Sequence, residues 1–559
     1  MKKILTMGIC ILVLMTALFA NGEQENGNIQ VSGPGEIPIV NEKITFTVFC
    51  ATESWVEDLN KNYLTQYIED NLNIKLVFEQ STSKDAREII NLKLATGANI
   101  PDIFMGWGIE ADAAKIYGER GTFIALDDYI EEHGVNTKDL FAYKPDVPAK
   151  LKAMDGHIYG LPQYNECYHC NYSQRMLVNK KWLDNLGLEI PTTTEEFYQM
   201  LKAFKENDAN GNGDPDDEIP LTGIARHGWQ GKLDGYLMNP FTFSPIGRNT
   251  NDKTYVKDGV IQTSTTKEGY REGLKYANKL YREGLIFKET FTVSAAQVKS
   301  LVEHPNGNMI GAVPSGTISQ LCDLVGKQER FNDFVYIPPL KGPTGLQQTP
   351  QFYTHSKPTS FIITKNCKYP LVAFKLADFL MAMGHDVDGT YNREKLRHRL
   401  LMTGEEGVDW KLDSKQYPSF LNDESWYEGI LPYGKSQNKY WGSGTCGVNT
   451  RFIRLNAALG GGVGFDQSTM LNNAAVMYEP FGKDYLIPPT NFTEAELEIK
   501  NELKETFRTW EEEAYANFVT GNMDPYSDAD WNKYLMQVKD LGMDQYIQIL
   551  QKGYDRQYK

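Results

Sequence analysis

Three short segments near the start of the chain decide its fold class. Residues 44–50 read ITFTVFC, residues 74–79 read IKLVFE and residues 102–105 read DIFM. Their β-branched and aromatic side chains favour buried strands. Between the second and third, a stretch that Ser83 can cap and Gly97 can end has its apolar residues at helical spacing. With another helical segment between the first two, this order predicts a parallel, doubly wound α/β sheet, because parallel neighbours need crossovers.

The loops that follow these strands are the first candidate ligand-binding positions. In a doubly wound sheet, ligands bind beyond the carboxyl ends of the strands. Glu53 and Trp55 follow the first strand, and Trp107 follows the third between two glycines. We therefore predict that all three contact ligand. The alternative is that Trp55, which opens a helix, packs against the sheet and that Trp107 belongs to the core.

The first twenty residues, MKKILTMGICILVLMTALFA, have the pattern of an export signal. Two lysines precede an apolar run, and a plausible cleavage point follows Ala20. A membrane anchor is the competing interpretation, but the run is short for a span of about 20 residues. Cys10 lies inside the run and Asn21 follows the cleavage point, so no lipid-anchor cysteine is predicted. We expect a free periplasmic or extracellular protein with a flexible leader over residues 21–42.

Length and charge limit the remaining possibilities. A chain of 559 residues suits two lobes rather than one small core. Its formal net charge of −16 argues against nucleic-acid or anionic-membrane partners, which are met by clustered Lys and Arg. A monomer is expected. The CYHC pair at Cys167 and Cys170 predicts a disulfide or two free thiols, with a metal or redox site as the alternative.

A second α/β segment begins near Met176. Thr193 and Glu196 form a predicted capping box that opens an amphipathic helix. Strands are predicted at residues 334–340 and 360–365. A buried helix is predicted over residues 371–383, and the chain after Gly389 is predicted to be mostly helical.

Several phrases, taken together, resemble the family 1 extracellular solute-binding proteins of ABC importers. They occupy residues 94–104, 121–130, 156–163, 178–223 and 531–558, and the long block from Val178 to Gly223 is the most specific. The similarity extends to the branch with LipO-like and alginate-oligosaccharide-binding proteins. It implies an oligosaccharide ligand, ABC importer permease subunits as partners, and a periplasmic-binding-protein type II fold.

In that fold two α/β lobes are joined by a hinge, and a cleft lies between them. By this resemblance, lobe 1 takes residues 43–160 and 336–388. Lobe 2 takes residues 165–335 and 389–559.

The stretch NDANGNGDPDDEIPLTG, residues 207–223, concentrates oxygen-bearing side chains. Asp208, Asn210 and Asn212 occupy every second position and Gly213 follows, which matches the opening of a calcium-binding loop. Alternate positions of a curled loop point inward, where Ca²⁺ takes six to eight oxygens. Asp214, at the seventh position, would supply a backbone carbonyl.

The end of this loop departs from the helix–loop–helix calcium pattern. Its twelfth position is Ile219 instead of glutamate, and Glu218 comes one residue early. The family resemblance implies a structural Ca²⁺ here, with Asp217 and Glu218 closing the loop. Asp216 then faces outward or serves as a substitute ligand. A polar turn without metal is the alternative.

Five further positions are weighed as sugar contacts because aromatic faces and short polar groups bind carbohydrate. Tyr164 and Glu166 lie at the proposed crossing between the lobes, where a hinge-side loop faces the cleft. Trp229, Tyr353 and Trp441 lie among glycine and polar residues, which predicts exposed binding surfaces. Each of these three could instead pack a loop.

Two functions remain open at this point. A calcium-stabilised glycoside hydrolase or lyase would need two carboxylates facing each other across a sugar, and Glu53 with Glu166 is the only pair that position suggests. No G-x-S-x-G, H-E-x-x-H, phosphate-loop or dinucleotide motif is present in the sequence. We therefore predict a binding protein, not an enzyme, that captures a carbohydrate and delivers it to a permease.

Overall fold

The computed structural model describes residues 29–559 apart from several short segments. Those segments are 53–55, 83–84, 107–108, 110, 227–228, 247–252, 323–327, 353–354, 409, 413–417, 421–436, 442–444 and 451–462. The predicted export signal and four predicted ligand contacts, Glu53, Trp55, Trp107 and Tyr353, lie outside the described residues. Within the described part of the chain, no helix is both long and apolar enough to cross a bilayer.

The strands are, in chain order, β1 (Ile44–Thr52), β2 (Ile74–Thr82), β3 (Ile103–Gly106), β4 (Leu161–Asn165), β5 (Met176–Asn179), β6 (Ile219–Leu221), β7 (Thr254–Lys257), β8 (Val260–Thr263), β9 (Ile310–Pro314), β10 (Phe334–Ile337), β11 (Thr349–Pro350), β12 (His355–Ile363), β13 (Trp410–Leu412), β14 (Pro418–Phe420), β15 (Gly447–Asn449) and β16 (Gly482–Lys483).

The helices are α1 (Tyr63–Asn71), α2 (Ala86–Thr96), α3 (Ala111–Glu119), α4 (Asp127–His133), α5 (Asn136–Tyr143), α6 (Val147–Leu151), α7 (Lys180–Leu186), α8 (Thr194–Glu206), α9 (Leu233–Leu237), α10 (Glu268–Arg282), α11 (Ala295–Val302), α12 (Pro370–Leu380), α13 (Arg393–Leu400), α14 (Val463–Tyr478), α15 (Glu494–Thr520), α16 (Asp528–Asp540) and α17 (Met543–Tyr558).

Lobe 1 is built on a six-stranded sheet in the order β15, β4, β12, β3, β1, β2. β1 pairs in parallel with β2 and β3, which confirms the predicted crossovers. β12 runs antiparallel to β3 and β4, and β15 runs parallel to β4. The carboxyl ends of β1, β2, β3, β4 and β15 therefore lie along one edge of the sheet. We call it the lobe 1 edge.

Both faces of β1 are covered, as a doubly wound sheet requires. Phe46 and Val48 face one apolar core, whereas Phe49 and Ala51 face a second core on the opposite side. The helix after β2 starts two residues later than a cap at Ser83 predicts, since Asp85 is the residue ahead of its first turn. Gly97 ends it in the left-handed conformation, with φ 68°.

Lobe 2 has a four-stranded sheet in the order β10, β5, β9, β6. β5 is antiparallel to both neighbours, and β6 is parallel to β9. The start of β5 and the ends of β6, β9 and β10 consequently share one edge, the lobe 2 edge. Helix α8 opens with the predicted capping box of Thr193 and Glu196. Its Phe204 packs edge-on against the buried Trp182.

The chain passes between the two sheets three times. The first crossing joins β4 to β5, the second joins β10 to β12, and the third joins β15 to α14. The first runs from the lobe 1 edge at the end of β4 to the lobe 2 edge at the start of β5, and the second runs back from the end of β10 at the lobe 2 edge to the start of β12 at the lobe 1 edge. The two edges therefore face each other and bound the cleft.

One stretch predicted for lobe 2 belongs to lobe 1. The described parts of residues 389–449 pack there, because β15 pairs with β4 and because Arg399 Nε donates to the Val448 carbonyl at 2.7 Å. Leu396 and Trp441 are also buried. The predicted boundary at residue 389 is wrong for this segment, whereas α14 contributes Leu471 to a lobe 2 core.

Candidate ligand cleft and oxygen-rich loop

A compact polar cluster lies at the end of β4, on the lobe 1 edge. Glu166 follows the strand, and its backbone N–H donates to the Asn449 carbonyl at 2.8 Å. Its Oε1 lies 2.6 Å from Lys144 Nζ, and its Oε2 accepts from the Tyr143 hydroxyl at 3.1 Å. The Tyr164 hydroxyl donates to Oε1 at 3.3 Å. We call Tyr143, Lys144, Tyr164 and Glu166 the acid–base cluster.

The members of this cluster differ in how much they face solvent. The side chain of Lys144 is 32% exposed and that of Glu166 is 12% exposed, so both reach the cleft. The Tyr164 ring is buried in the lobe 1 core, and burial together with Glu166 raises the pKa of its hydroxyl. Lys144 and Tyr143 were missed by the sequence analysis, because nothing local shows that the end of α5 faces β4.

Trp229 belongs to the other lobe, in the loop that leaves β6 at the lobe 2 edge. The backbone N–H of Trp229 donates to Gln320 Oε1 at 2.5 Å, and its backbone carbonyl accepts from the Gly316 N–H at 2.9 Å. A Cβ at Gly316 would lie 2.5 Å from the indole, so the ring lies directly on the glycine backbone. The Trp229 ring is partly exposed and its centroid is 6.4 Å from that of His169, in the first crossing.

The CYHC pair in that crossing forms a disulfide between Cys167 and Cys170. His169 lies alongside it, with Nε2 3.4 Å from the Cys167 sulfur. Because both sulfurs are bonded to each other, they are not available as metal ligands in this state, which favours the disulfide interpretation over the metal site. The disulfide fixes the short helix at Tyr168–Tyr172 that carries the chain between the lobes.

Trp441 does not form the exposed surface predicted for it. Its side chain is buried, its Nε1 donates to Thr65 Oγ1 at 2.8 Å, and its ring meets Phe78 edge-on. The prediction is wrong because glycine and polar neighbours describe the loop itself and not the helix that the loop covers. The predicted contacts Glu53, Trp55, Trp107 and Tyr353 lie outside the described residues.

The oxygen-rich loop connects α8 to β6 and curls around the Asp208 carboxylate. Asp208 Oδ1 accepts from the N–H groups of Gly211 at 2.8 Å and Asn212 at 3.0 Å, and Oδ2 accepts from Gly213 at 2.9 Å. Gly211 and Gly213 have φ of 73° and 91°, a conformation that favours glycine. The two glycines in the sequence therefore permit the curl of this loop.

The same curl brings the predicted calcium ligands together. The amides of Asn210 and Asn212 donate to the two oxygens of Asp217 at 2.8 and 2.7 Å. Glu218 Oε1 accepts from the Asn210 N–H at 3.2 Å. Its Oε2 is buried without a hydrogen-bond partner in the described structure. Burial raises the pKa of Glu218, with the nearby Asp217 adding to the effect.

These residues fit a hard cation. Burying a carboxylate oxygen without a hydrogen-bond donor costs free energy unless a cation or a proton binds to it. Rotation of the Asn210 and Asn212 amides would present their carbonyl oxygens to the same point as Asp217. Asp214 has its side chain engaged locally, accepting from the Asp216 N–H at 3.2 Å, which leaves its backbone carbonyl for the predicted role.

Two α/β lobes with facing strand edges and three crossings define a two-lobed binding protein of the periplasmic-binding-protein class. The chain belongs to the bacterial extracellular solute-binding proteins, whose family model matches residues 53–384. The family resemblance inferred from sequence is confirmed. Because this is a family of solute-binding proteins, the prediction of a binder and not an enzyme is also confirmed.

Two curated relatives match part of the chain. The fructooligosaccharide ABC transporter substrate-binding protein FusA of Streptococcus pneumoniae is 31% identical over 242 residues, covering 42% of this chain and 43% of FusA. Lipoprotein LipO of Bacillus subtilis is 29% identical over 236 residues, with the same coverage of 42% and 43%. These alignments thus span less than half the length of each relative.

Solved structures match over a larger part of the chain. FusA in complex with kestose has a TM-score of 0.74 at 22% identity, covering 92% of this chain and 99% of FusA. The alginate-binding protein AlgQ2 without calcium ion has a TM-score of 0.66 at 21% identity, covering 92% and 98%. At this identity the likeness establishes the α/β two-lobed fold and no more.

Proposed function

We propose that this protein is the substrate-binding component of an ABC importer and that it holds an oligosaccharide between its lobes. The observation that supports the proposal is that each lobe edge has groups that suit a sugar, the partly exposed Trp229 on the lobe 2 edge and the acid–base cluster on the lobe 1 edge. An indole face suits the C–H side of a pyranose or furanose ring, and carboxylate, ammonium and phenol groups suit its hydroxyls.

The relatives support a carbohydrate ligand. FusA is named for fructooligosaccharides and is solved with kestose, and AlgQ2 is named for alginate. A ligand that contacts both edges stabilises the closed arrangement of the lobes by its differential affinity. The membrane permease subunits would then recognise the closed form. The predicted signal sequence would deliver the protein to the periplasm or cell exterior.

The first experiment is a thermal-shift screen of the pure protein against a glycan panel, followed by product analysis. A saturable rise in melting temperature with chemically unchanged sugar is the expected result. Conversion of the sugar into product would contradict the proposal and favour the hydrolase or lyase.

Once a binding sugar is identified, Trp229→Ala is expected to weaken its affinity by about tenfold or more, or roughly 1.4 kcal/mol. The loss arises because the ring that lies on Gly316 supplies a flat apolar face to the cleft. Titration calorimetry measures the change. Trp229→Phe keeps an aromatic face and serves as the control, with most of the affinity retained. Unaltered binding by Trp229→Ala would show that the indole does not touch the ligand.

The oxygen-rich loop is proposed to hold a structural Ca²⁺. Support comes from the partnerless Glu218 Oε2 and from the hydrogen bonds that hold Asn210 and Asn212 against Asp217 in the same loop. Two related structures point the same way, since FusA has been solved as an EF-hand mutant and AlgQ2 without calcium ion. When bound, the ion would neutralise the loop carboxylates and fix the connection between α8 and β6.

A further inference from the structure

The disulfide of the first crossing has a histidine inside its loop. Cys167 and Cys170 are bonded across the sequence CYHC, and His169 is the residue just before the second cysteine. The His169 Nε2 atom lies 3.4 Å from the Cys167 sulfur, and its Nδ1 atom lies 3.9 Å from the Cys170 sulfur. An imidazole in this position can exchange a proton with a sulfur once the bond opens.

The two cysteines differ in their exposure to solvent. Cys167 is 1% exposed, whereas Cys170 is partly exposed. In thiol–disulfide exchange a thiolate attacks one sulfur of the bond and the other sulfur leaves. A thiol from solvent therefore reaches Cys170, and Cys167 is the leaving group. A leaving thiolate departs faster when it is stabilised, and a histidine beside a cysteine has that effect.

The position of the disulfide connects it to both lobes. The bond closes the loop that contains the short helix at Tyr168–Tyr172, between β4 and β5. The Cys170 N–H donates to the Cys167 carbonyl at 3.1 Å, and Glu166 of the acid–base cluster immediately precedes Cys167. Opening the bond removes a covalent constraint from this crossing.

From this arrangement we propose that Cys167 and Cys170 form a redox-active pair, which a dithiol opens by attack on the Cys170 sulfur and which thereby loosens the first crossing. As the new sulfur–sulfur bond forms, the old one breaks, and Cys167 takes the electron pair as a thiolate beside His169. The second sulfur of the dithiol then bonds to its first sulfur, and Cys170 leaves. The dithiol is oxidised by two electrons to a disulfide. Its two protons remain on Cys170 and on the pair of Cys167 and His169.

The other thiols of the described chain are poorly placed for this chemistry. Cys50, Cys322, Cys367 and Cys446 are all buried. Burial raises the pKa of Cys367 to about 12 and also raises that of Cys446, which keeps both thiols protonated and slow to react. Within the described residues, a thiol reagent is therefore expected to act first at the CYHC pair.

Differential alkylation followed by peptide mass spectrometry tests the reaction in the full-length protein. Dithiothreitol is the probe, and the rate at which Cys167 and Cys170 become open to alkylation is measured in folded protein and in urea. The folded protein is expected to react at least as fast as the unfolded chain, because folding holds His169 beside the Cys167 sulfur. Reduction that requires unfolding would identify a purely structural disulfide and overturn the proposal.

The site of attack is read from the first intermediate. Brief treatment with glutathione, stopped by alkylation, is expected to leave glutathione on Cys170 and the alkyl group on Cys167. The reverse pattern would overturn the assignment of Cys167 as the leaving group.

Histidine variants test the role of His169. His169→Ala is expected to slow reduction by about tenfold and to lower the reduction potential of the pair by about 30 mV, the equivalent of a tenfold change in equilibrium constant. His157→Ala is the matched control, because it removes an exposed imidazole that pairs with Asp127. His169→Lys supplies another cation and should recover part of the rate and the potential. A His169→Ala protein with the parent's rate and potential would show that the imidazole does not assist.

Hydrogen exchange followed by mass spectrometry tests the effect on the crossing. In the reduced protein the amides of residues 167–173 are expected to exchange at least about tenfold faster, while those of β5 keep their protection. Cys170→Ser, which cannot form the bond, should match the reduced protein. Unchanged exchange in both proteins would mean that noncovalent contacts alone hold the turn, and the proposed loosening would be wrong.

Discussion

Lys253→Met is expected to lower the free energy of unfolding of lobe 2 by about 3–5 kcal/mol. Lys253 Nζ lies 2.9 Å from Asp234 Oδ2, pairs with Glu511, and donates to the Tyr270 hydroxyl at 3.1 Å. The Lys253 and Glu511 side chains are 1% and 2% exposed. Without the lysine, two carboxylates would be left in a dry core with no cation between them.

Replacing Lys253 is expected to be costly because its ion-pair network joins three helices. Asp234 lies in α9, Tyr270 in α10 and Glu511 in α15. Burial alone would lower the pKa of Lys253, but the two carboxylates raise it above its ordinary value. Burial raises the pKa of Glu511, which shows how strongly this carboxylate depends on its partner. Loss of the cation therefore forces protonation of a carboxylate or separation of the helices.

Urea unfolding followed by far-UV circular dichroism measures the effect. Lys257→Met is the matched control, since Lys257 is exposed on β7 and its replacement is expected to cost no more than about 0.5 kcal/mol. Adding Glu511→Gln to Lys253→Met should recover part of the loss, because it removes one of the stranded charges. A Lys253→Met protein as stable as the parent would mean that the network does not stabilise lobe 2.

The second large expected effect is a loss of thermal stability when calcium is removed. Chelation is expected to lower the melting temperature, because a ligand that binds only the folded state at a thousandfold excess over its Kd contributes about 4 kcal/mol. The ion would join Asp208, at the end of α8, to Asp217 and Glu218, just before β6. Differential scanning calorimetry with added Ca²⁺ and with chelator gives the difference, and elemental analysis gives the metal content.

Two loop variants make this prediction specific. Glu218→Gln should abolish the calcium dependence, because its carboxylate holds the buried oxygen that lacks a partner. Asp216→Asn should keep it, because that side chain is exposed in the same loop. A melting temperature indifferent to calcium, in protein that contains no metal, would exclude the site.

Much of this was predictable because the signals are local. Alternating or continuous apolar residues mark β1, β2 and β3, and a capping box three residues apart marks the start of α8. The candidate calcium ligands fall within eleven consecutive residues, so their convergence follows from one curled loop. The family resemblance then supplied the two-lobed arrangement, which periodicity alone does not give.

What the sequence determined by itself is thus the α/β class, several of the helices and strands, and the family, and it proposed a candidate ligand set for the oxygen-rich loop. Only the tertiary structure decided that residues 389–449 pack on lobe 1, that Trp441 is buried, and that Lys144 meets Glu166. The physical reason is distance along the chain. The spacing of apolar and capping residues in a sequence reflects contacts between residues a few positions apart. Trp441 and Thr65, in contrast, are separated by 376 positions, and Lys253 and Glu511 by 258. Such partners are chosen by how whole helices and sheets pack.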